Sequence, residues 1–252
     1  MDRIKHLWIM LSIAVIVVRT STKAFVRIRL HTMTRTIADF YARQWAKRML
    51  NLLDVHIDKV HFDTPIHYQA QQCYILMSNH SSHYDIPIIF QSLPGSVRML
   101  AKKELFKIPF FGRLLKENDF PPIDRENRKQ AIKDLQYAES IMRNGITLWI
   151  APEGTRARST THMGQFKKGG FVLAIKSKAF IIPIGIRGSA NILPAHSLKF
   201  VTGQHVEVHV GKPINAGEYD MNNKDELITR VEQEISRLAG VATYEHQHSV
   251  SE

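Results

Sequence analysis

Two histidines and an aspartate stand together in one polar stretch, Ser78-Asn79-His80-Ser81-Ser82-His83-Tyr84-Asp85. An imidazole with one nitrogen held by a carboxylate keeps a single tautomer and offers the other nitrogen as a base. His80 and Asp85 lie five positions apart, roughly 500° on an ideal helix at about 100° per residue, so they share no helical face. They meet only if the chain turns between them, and Ser81-Ser82 permits a turn. A base so placed is worth roughly 10²–10⁴ in rate, about 3–5 kcal/mol. His83 is a competing base with poorer reach around the turn. The same residues also have structural readings: Asp85, two before Pro87, can cap a following helix, and His80 can be a hydrogen-bonded loop histidine.

Two further polar turns carry charged groups. Pro152-Glu153-Gly154-Thr155-Arg156 pairs a glycine, which admits backbone conformations other residues resist, with an arginine able to grip a phosphate through two hydrogen bonds. Glu153 can fix that arginine or meet a substrate hydroxyl. The alternative is a surface turn with a weak salt bridge. Ile123-Asp124-Arg125 has the same two readings. Lys102, Lys103, Lys167 and Lys168 either complete an anion pocket or are solvated charge. No His-Glu-x-x-His pattern occurs among the 13 histidines, and no Gly-x-Ser-x-Gly elbow or phosphate-binding glycine fingerprint is present. The expectation is therefore no metal and no bound cofactor. The single cysteine, Cys73, excludes an internal disulfide.

The elements that would position these turns alternate between strand and helix. Val55–Phe62 alternates as a strand, and the apolar runs 71–77, 146–150 and 180–186 read as buried strands. Val97–Ala101 is a short strand, 199–210 a hairpin turning at Gly203, and 120–125 a strand end. Helices are expected at 86–93, from Pro109, at 126–143 with Asp124 as cap, from Gly169 to about Ser177, and at 225–238. Such alternation predicts an α/β fold with a mixed, mostly parallel sheet flanked by helices. Ligands in such sheets sit at the carboxyl ends of strands, where all three polar turns fall.

The chain has 252 residues and a net charge of +11. Up to Val60 it carries eleven Lys/Arg against four Asp/Glu, so 11 − 4 = +7 lies in the first quarter. That quarter points to nucleic acid or an anionic membrane, and the neighbouring apolar residues favour the membrane. Leu7–Val18 is uncharged and nearly all apolar, too short for the roughly 20 residues of a span, with basic residues on both sides. Leu7–Leu30 reads as a monotopic anchor with its cations at the headgroups; a single span with the main domain in the cytoplasm and a buried core helix are the alternatives. Arg35–Leu53 has helical period. The expected organisation is a membrane-associating helical segment over 1–54, an α/β domain over 55–240 and a polar tail over 241–252.

Taken together, the turns resemble the glycerolipid acyltransferase family, most closely its bacterial 1-acylglycerol-3-phosphate acyltransferases. The first block, the HX4D motif, is Asn79-His80-Ser81-Ser82-His83-Tyr84-Asp85. A linking segment follows at Lys102-Lys103-Glu104-Leu105 and Ile108-Pro109-Phe110-Phe111-Gly112. The later blocks are Ile123-Asp124-Arg125, then Pro152-Glu153-Gly154-Thr155-Arg156 with Phe166-Lys167 and Gly169, then Ile182-Pro183-Ile184. Ala151 stands where many members have Phe, and Pro121-Pro122 precede the second block. The resemblance implies acyl transfer from acyl-CoA or acyl-carrier protein, as co-substrate, to the sn-2 hydroxyl of 1-acylglycerol-3-phosphate, giving phosphatidic acid. His80 would be the base and Asp85 its orienter. Arg125, Arg156 and Lys103, with Glu153, Gly154 and Thr155, would bind substrate. The implied partners are the lysophospholipid and an anionic membrane, not nucleic acid, and the implied place is the cytoplasmic face of a bacterial inner membrane. Rival readings are an acyltransferase of the same fold using another lysolipid, such as a lyso-ornithine lipid, a hydrolase, and a non-catalytic basic membrane-binding protein.

Overall fold

The computed structural model describes residues 3–124, 128–157, 159, 161–195 and 197–243. Two helices open the chain, α1 (Arg3–Arg29) and α2 (Arg35–Leu52). There follow β1 (His56–Phe62), β2 (Tyr74–Ser78), α3 (Asp85–Ser92), β3 (Ser96–Met99), β4 (Ala101–Lys102), α4 (Phe111–Glu117), β5 (Pro122–Ile123) and α5 (Arg128–Arg143). The rest is β6 (Ile146–Ile150), α6 (Gly169–Ser177), β7 (Phe180–Arg187), β8 (His205–Val210), β9 (Ile214–Asn215) and α7 (Lys224–Ala239).

The seven-stranded sheet runs β1-β8-β7-β2-β6-β3, with β9 also on β7. β2, β3, β6 and β7 are parallel neighbours, β1 is parallel to β8, and β7 meets β8 and β9 antiparallel. β2 and β6 are wholly buried, which is why they read as unbroken apolar runs and not as alternation. Their side chains alternate between two cores. Leu76 and Trp149 pack with α2 and α3, whereas Ile75, Met77, Leu148 and Ile150 pack with residues of α5, α6 and α7. Helices therefore cover both faces, as the alternation predicts.

The expected hairpin through Gly203 does not form. Residues 199–204 lie outside any strand, and β8 begins at His205. Their backbone is engaged by the end of α2 and the start of β1 instead: Gly203 N–H donates to Leu53 O at 2.9 Å, and His56 N–H donates to Gln204 O at 2.9 Å. The helix expected from Pro109 starts two residues later, because Phe110 sits at φ +63° and ψ −48°, away from helical backbone angles. Gly112 then has no room for a side chain, since a Cβ there would lie 2.0 Å from Phe106 O. Asp124 accepts from Lys103 Nζ at 2.8 Å, and its expected capping contact falls on 125–127, outside the described residues.

α1 is one continuous helix of 27 residues, about 40 Å long at 1.5 Å per residue. It lies along the domain: Ile9, Ala24 and Ile28 are buried, Lys5 reaches Thr202 and His6 touches the Phe200 ring, and Phe25 meets Phe110 edge-on. Its other face leaves Ile4, Leu7, Leu11, Val15, Val18 and Val26 exposed. An 18-residue window of α1 has the length and hydropathy of a membrane helix. α2 starts at the cap Thr34, whose side chain accepts from Ile37 N–H at 3.3 Å. It buries Ala46, Met49 and Leu50 in the first core.

Candidate active site

The site is built at the carboxyl ends of β2 and β6, adjacent parallel strands in register through Met77 and Ile150. β2's last backbone pairing with β7 is Ser78 with Ile184. Asn79 then continues the ladder through its side chain. Its amide donates to Ile186 O at 2.9 Å, and its Oδ1 accepts from Ile186 N–H at 2.8 Å. This fixes the chain direction one residue before His80.

From there the chain turns as Ser81-Ser82 allows. Asp85, fully buried in the first turn of α3, returns its carboxylate into the loop. One oxygen, Oδ2, accepts from Ser81 N–H at 2.8 Å, from Ser82 N–H at 2.9 Å and from His80 Nδ1 at 2.7 Å. The dyad reading of Asp85 is realised and the helix-cap reading is not: Tyr84 stands at the N-cap of α3 without a side-chain cap bond, and Asp85, the first helical residue, turns its carboxylate back to organise the loop and hold the imidazole. With a carboxylate at Nδ1, that nitrogen carries the proton and Nε2 is left as the acceptor. The His80 side chain is 17% exposed, enough for a reactant to reach it. Trp149 stands edge-on to the His80 ring at 5.9 Å and donates from Nε1 to Ser78 Oγ at 3.0 Å. Ser82 donates from Oγ to Leu193 O at 2.9 Å, so its hydroxyl is structural.

The Pro152–Arg156 turn follows β6. Gly154 holds φ +71°, a conformation that favours glycine, and closes the turn with Gly154 N–H to Ala151 O at 3.0 Å. Glu153 is 2% exposed. Its Oε1 accepts from His80 N–H at 2.9 Å and its Oε2 from Gly164 N–H at 2.7 Å. Burial raises its pKa, against the opposing pull of those two amides and of His80. On its other side, His80 O accepts from Ala157 N–H at 2.7 Å. The peptide groups flanking His80 are therefore gripped from both sides by the segment after β6. Glu153 fixes the base's backbone; neither carboxylate oxygen bonds to Arg156.

Arg156 lies near His83. Its charge, after burial and with help from His80, holds His83's pKa below the usual imidazole value. Both are partly exposed, and the Arg156 guanidinium has no hydrogen-bond or ion-pair partner among the described residues. Thr155 is exposed beside it. Lys103 is drawn onto Asp124, whose own N–H donates to Asp134 at 2.8 Å. Arg125 lies outside the described residues. Asn79, Trp149 and Gly164 also belong to the site, with no role assigned to them from the sequence. Asn79 stands in the HX4D block, before His80; Gly164 acts through its N–H, which residue type does not reveal. Among the described residues no cluster of three or more His, Cys, Asp or Glu is arranged to hold a metal ion.

The 1-acyl-sn-glycerol-3-phosphate acyltransferase of Salmonella typhimurium is 30% identical over 169 residues, covering 65% of this chain and 67% of that protein. The chloroplastic acyltransferase LPAT1 of Arabidopsis thaliana is 30% identical over 58% of this chain. The 1-acyl-sn-glycerol-3-phosphate acyltransferase of Saccharomyces cerevisiae is 30% identical over 65% of it. The chain spans 41% and 57% of those last two relatives. The crystal structure of the 1-acyl-sn-glycerophosphate acyltransferase PlsC from Thermotoga maritima has the same fold, with a TM-score of 0.73 at 24% identity, over 94% of this chain and 95% of that one. The acyltransferase family model matches residues 59–187, a stretch that runs from β1 to the end of β7 and contains both the His80 loop and the Glu153 turn, and on that match the chain belongs to the acyltransferase family.

Proposed function

We propose that the protein is a membrane-bound acyltransferase that moves an acyl group from a thioester to the sn-2 hydroxyl of 1-acylglycerol-3-phosphate. The observation that carries this is the bond between His80 Nδ1 and the buried Asp85 carboxylate at 2.7 Å. It leaves Nε2 to take the proton from the acceptor hydroxyl while that oxygen attacks the thioester carbon. The tetrahedral intermediate collapses to ester and thiolate, and the proton returns from His80 to the sulfur. Acyl-CoA and acyl-carrier protein both present such a thioester. Arg156, without a partner among the described residues and near His83, has the chemistry to hold the acceptor phosphate. Arg125 and Lys103 are assigned to the same phosphate on the family resemblance. Glu153 is assigned to the loop, since both its oxygens are already engaged.

Support for membrane attachment comes from α1. Its buried positions run from Ile9 to Ile28, while its opposite face is apolar and exposed. A helix packed along the domain over that length fits an anchor lying in one leaflet, with Arg19, Lys23, Arg27 and Arg29 at headgroup level. The basic flanks support our assignment of the domain to the cytoplasmic face of the membrane.

A purified assay with lysophosphatidate, a lyso-ornithine lipid and both thioester types tests the reading. Lysophosphatidate should be the preferred acceptor, and His80→Ala and Asp85→Asn should each lower turnover by roughly 10²–10⁴. Equal use of the phosphate-free lysolipid would refute the phosphate contact. Release of free fatty acid without any acceptor would make the protein a hydrolase, and wild-type protein without thioester-dependent acylation would leave only membrane binding.

A further inference from the structure

The segment between the 3-10 turn Lys103–Lys107 and α4 is a short projecting tip, Ile108-Pro109-Phe110. Ile108 is 47% exposed and Phe110 68%. A bulky side chain at φ +63° is uncommon, and here it is held firmly. Phe111 N–H donates to Pro109 O at 2.7 Å, Gly112 N–H to Ile108 O at 2.8 Å and Leu114 N–H to Phe110 O at 3.0 Å. Gly112 lets the turn close against Phe106. The fold thus spends an unfavourable backbone conformation on a turn that presents an aromatic ring outward.

Two observations say what covers that ring. The first is continuity. The exposed apolar positions of α1, from Ile4 through Leu7, Leu11, Val15 and Val18 to Val26, recur at helical spacing and form one stripe. At the end of the stripe Phe25 packs edge-on against Phe110 at 5.3 Å. The second is charge. Lys107 and Arg113 are exposed within three residues of Phe110 and Lys116 in the last turn of α4, and Arg113 lies 6.0 Å from the Phe25 ring. Two exposed carboxylates share this region, Glu117, which pairs with Arg113 at 3.8 Å, and Glu104. Cations still outnumber them. An apolar tip with three exposed cations within six residues of Phe110, continuous with the exposed stripe of α1, matches an anionic bilayer surface, where aromatic rings settle at headgroup depth.

We infer that Ile108-Pro109-Phe110 is a second membrane-inserting element that enters the headgroup region of an anionic bilayer beside Phe25 of α1. It adds a second contact beside α1 and so narrows the rotation of the domain about the α1 axis that the apolar stripe alone allows. The inference rests on the proposed membrane placement of α1.

The test uses full-length protein in a Cys73→Ser background, with an environment-sensitive fluorophore on one introduced cysteine: Phe110→Cys, Val15→Cys or, on the loop before α7, Met221→Cys. Vesicles contain phosphatidylcholine with phosphatidylglycerol, with nitroxide-bearing lipid as quencher. Blue shift and quenching are expected at 110 and 15 and not at 221. A signal at 15 without one at 110 overturns the inference and leaves the α1 anchor standing. No signal at either position overturns both. A signal at 110 alone removes the α1 anchor and with it the continuity argued here. Because Phe110 is exposed, Phe110→Ala should leave the melting temperature unchanged while partition into these vesicles weakens by about tenfold, the order expected for withdrawing most of one buried aromatic side chain. Unchanged partition of Phe110→Ala overturns the inference.

Discussion

Glu153→Ala tests whether this carboxylate acts on the catalytic loop or on the substrate. The side chain is almost wholly buried and accepts two backbone N–H groups, from His80 and Gly164. Alanine leaves both amides without their partner. Each such loss costs about 1–3 kcal/mol, so the variant should be destabilised by roughly 2–6 kcal/mol, with roughly 2–4 °C in melting temperature for each kcal/mol in a domain of this size. Glutamine is no rescue here. Its amide has a single oxygen for two donors and turns its NH₂ toward one of them, so Glu153→Gln should lose about 1–3 kcal/mol. The kinetic signature follows from the same geometry. Release of His80 N–H from Glu153 leaves Ala157 as the remaining grip of the post-β6 segment on His80's own backbone, and a displacement of about 1 Å costs on the order of 10² in rate. Turnover should therefore fall while KM for the lysolipid stays near its wild-type value. Steady-state kinetics over lysolipid concentration, beside a thermal melt, separates the two roles. A raised KM with unchanged kcat and unchanged melting temperature would mean that Glu153 touches the acceptor, and the positioning argument would be wrong.

Two other side chains carry comparable expectations. Asn79→Ala strips the side-chain partners from Ile186 N–H and Ile186 O and should cost roughly 2–6 kcal/mol, about 1–3 for each group left unpaired, visible in denaturant titration and accompanied by a lower kcat; an unchanged unfolding midpoint would show that water replaces the amide without loss. His83 governs a pH effect: burial, then Arg156 and His80, keep its folded pKa below 6.5, so the folded state binds that proton less tightly than the unfolded chain. Its contribution to stability is whole above the usual value and is lost as pH falls from there through the folded pKa. Melts of wild type and His83→Gln across that interval should show the shallower acid decline in the variant, and parallel curves would remove His83 from the account.

The strands that carry the site were legible because they are central. β2, β6 and β7 are buried on both faces, so a run of apolar residues sufficed to find them, and the loops after β2 and β6 were then bound to neighbour each other at one sheet edge. The edge was harder. β8 alternates cleanly, but nothing in the alternation says that its partners are β7 and the distant β1, not the segment just before it. Glycine at 203 suggested a hairpin, whereas the chain there is spent on Leu53 O. The same limit hid the role of Glu153. A carboxylate beside an arginine suggests a salt bridge, and its true partners are two N–H groups, one of them 73 positions away, that any residue but proline would supply. Side-chain chemistry could be read from the sequence to the extent that it acts on other side chains, as it does for His80 and Asp85.

The N-terminal helix shows a different limit: the uncharged run is short, yet the Leu7–Leu30 segment read as an anchor is, up to Arg29, one continuous helix. Counting uncharged residues stops at Val18, because Arg19 follows. The helix does not stop there, since arginine and lysine are good helix formers and the apolar positions keep their spacing through Phe25, Val26 and Ile28. Ala24 and Ile28 pack inward, and Val26 and Leu30 point out. Charge on this stretch therefore marks the depth at which the helix would lie and not its end. An apolar stripe that continues past its first cations cannot sit wholly in hydrocarbon. It fits a helix lying near the headgroups with long basic side chains reaching water, and that is the depth at which the proposed lysolipid acceptor would present its hydroxyl to His80.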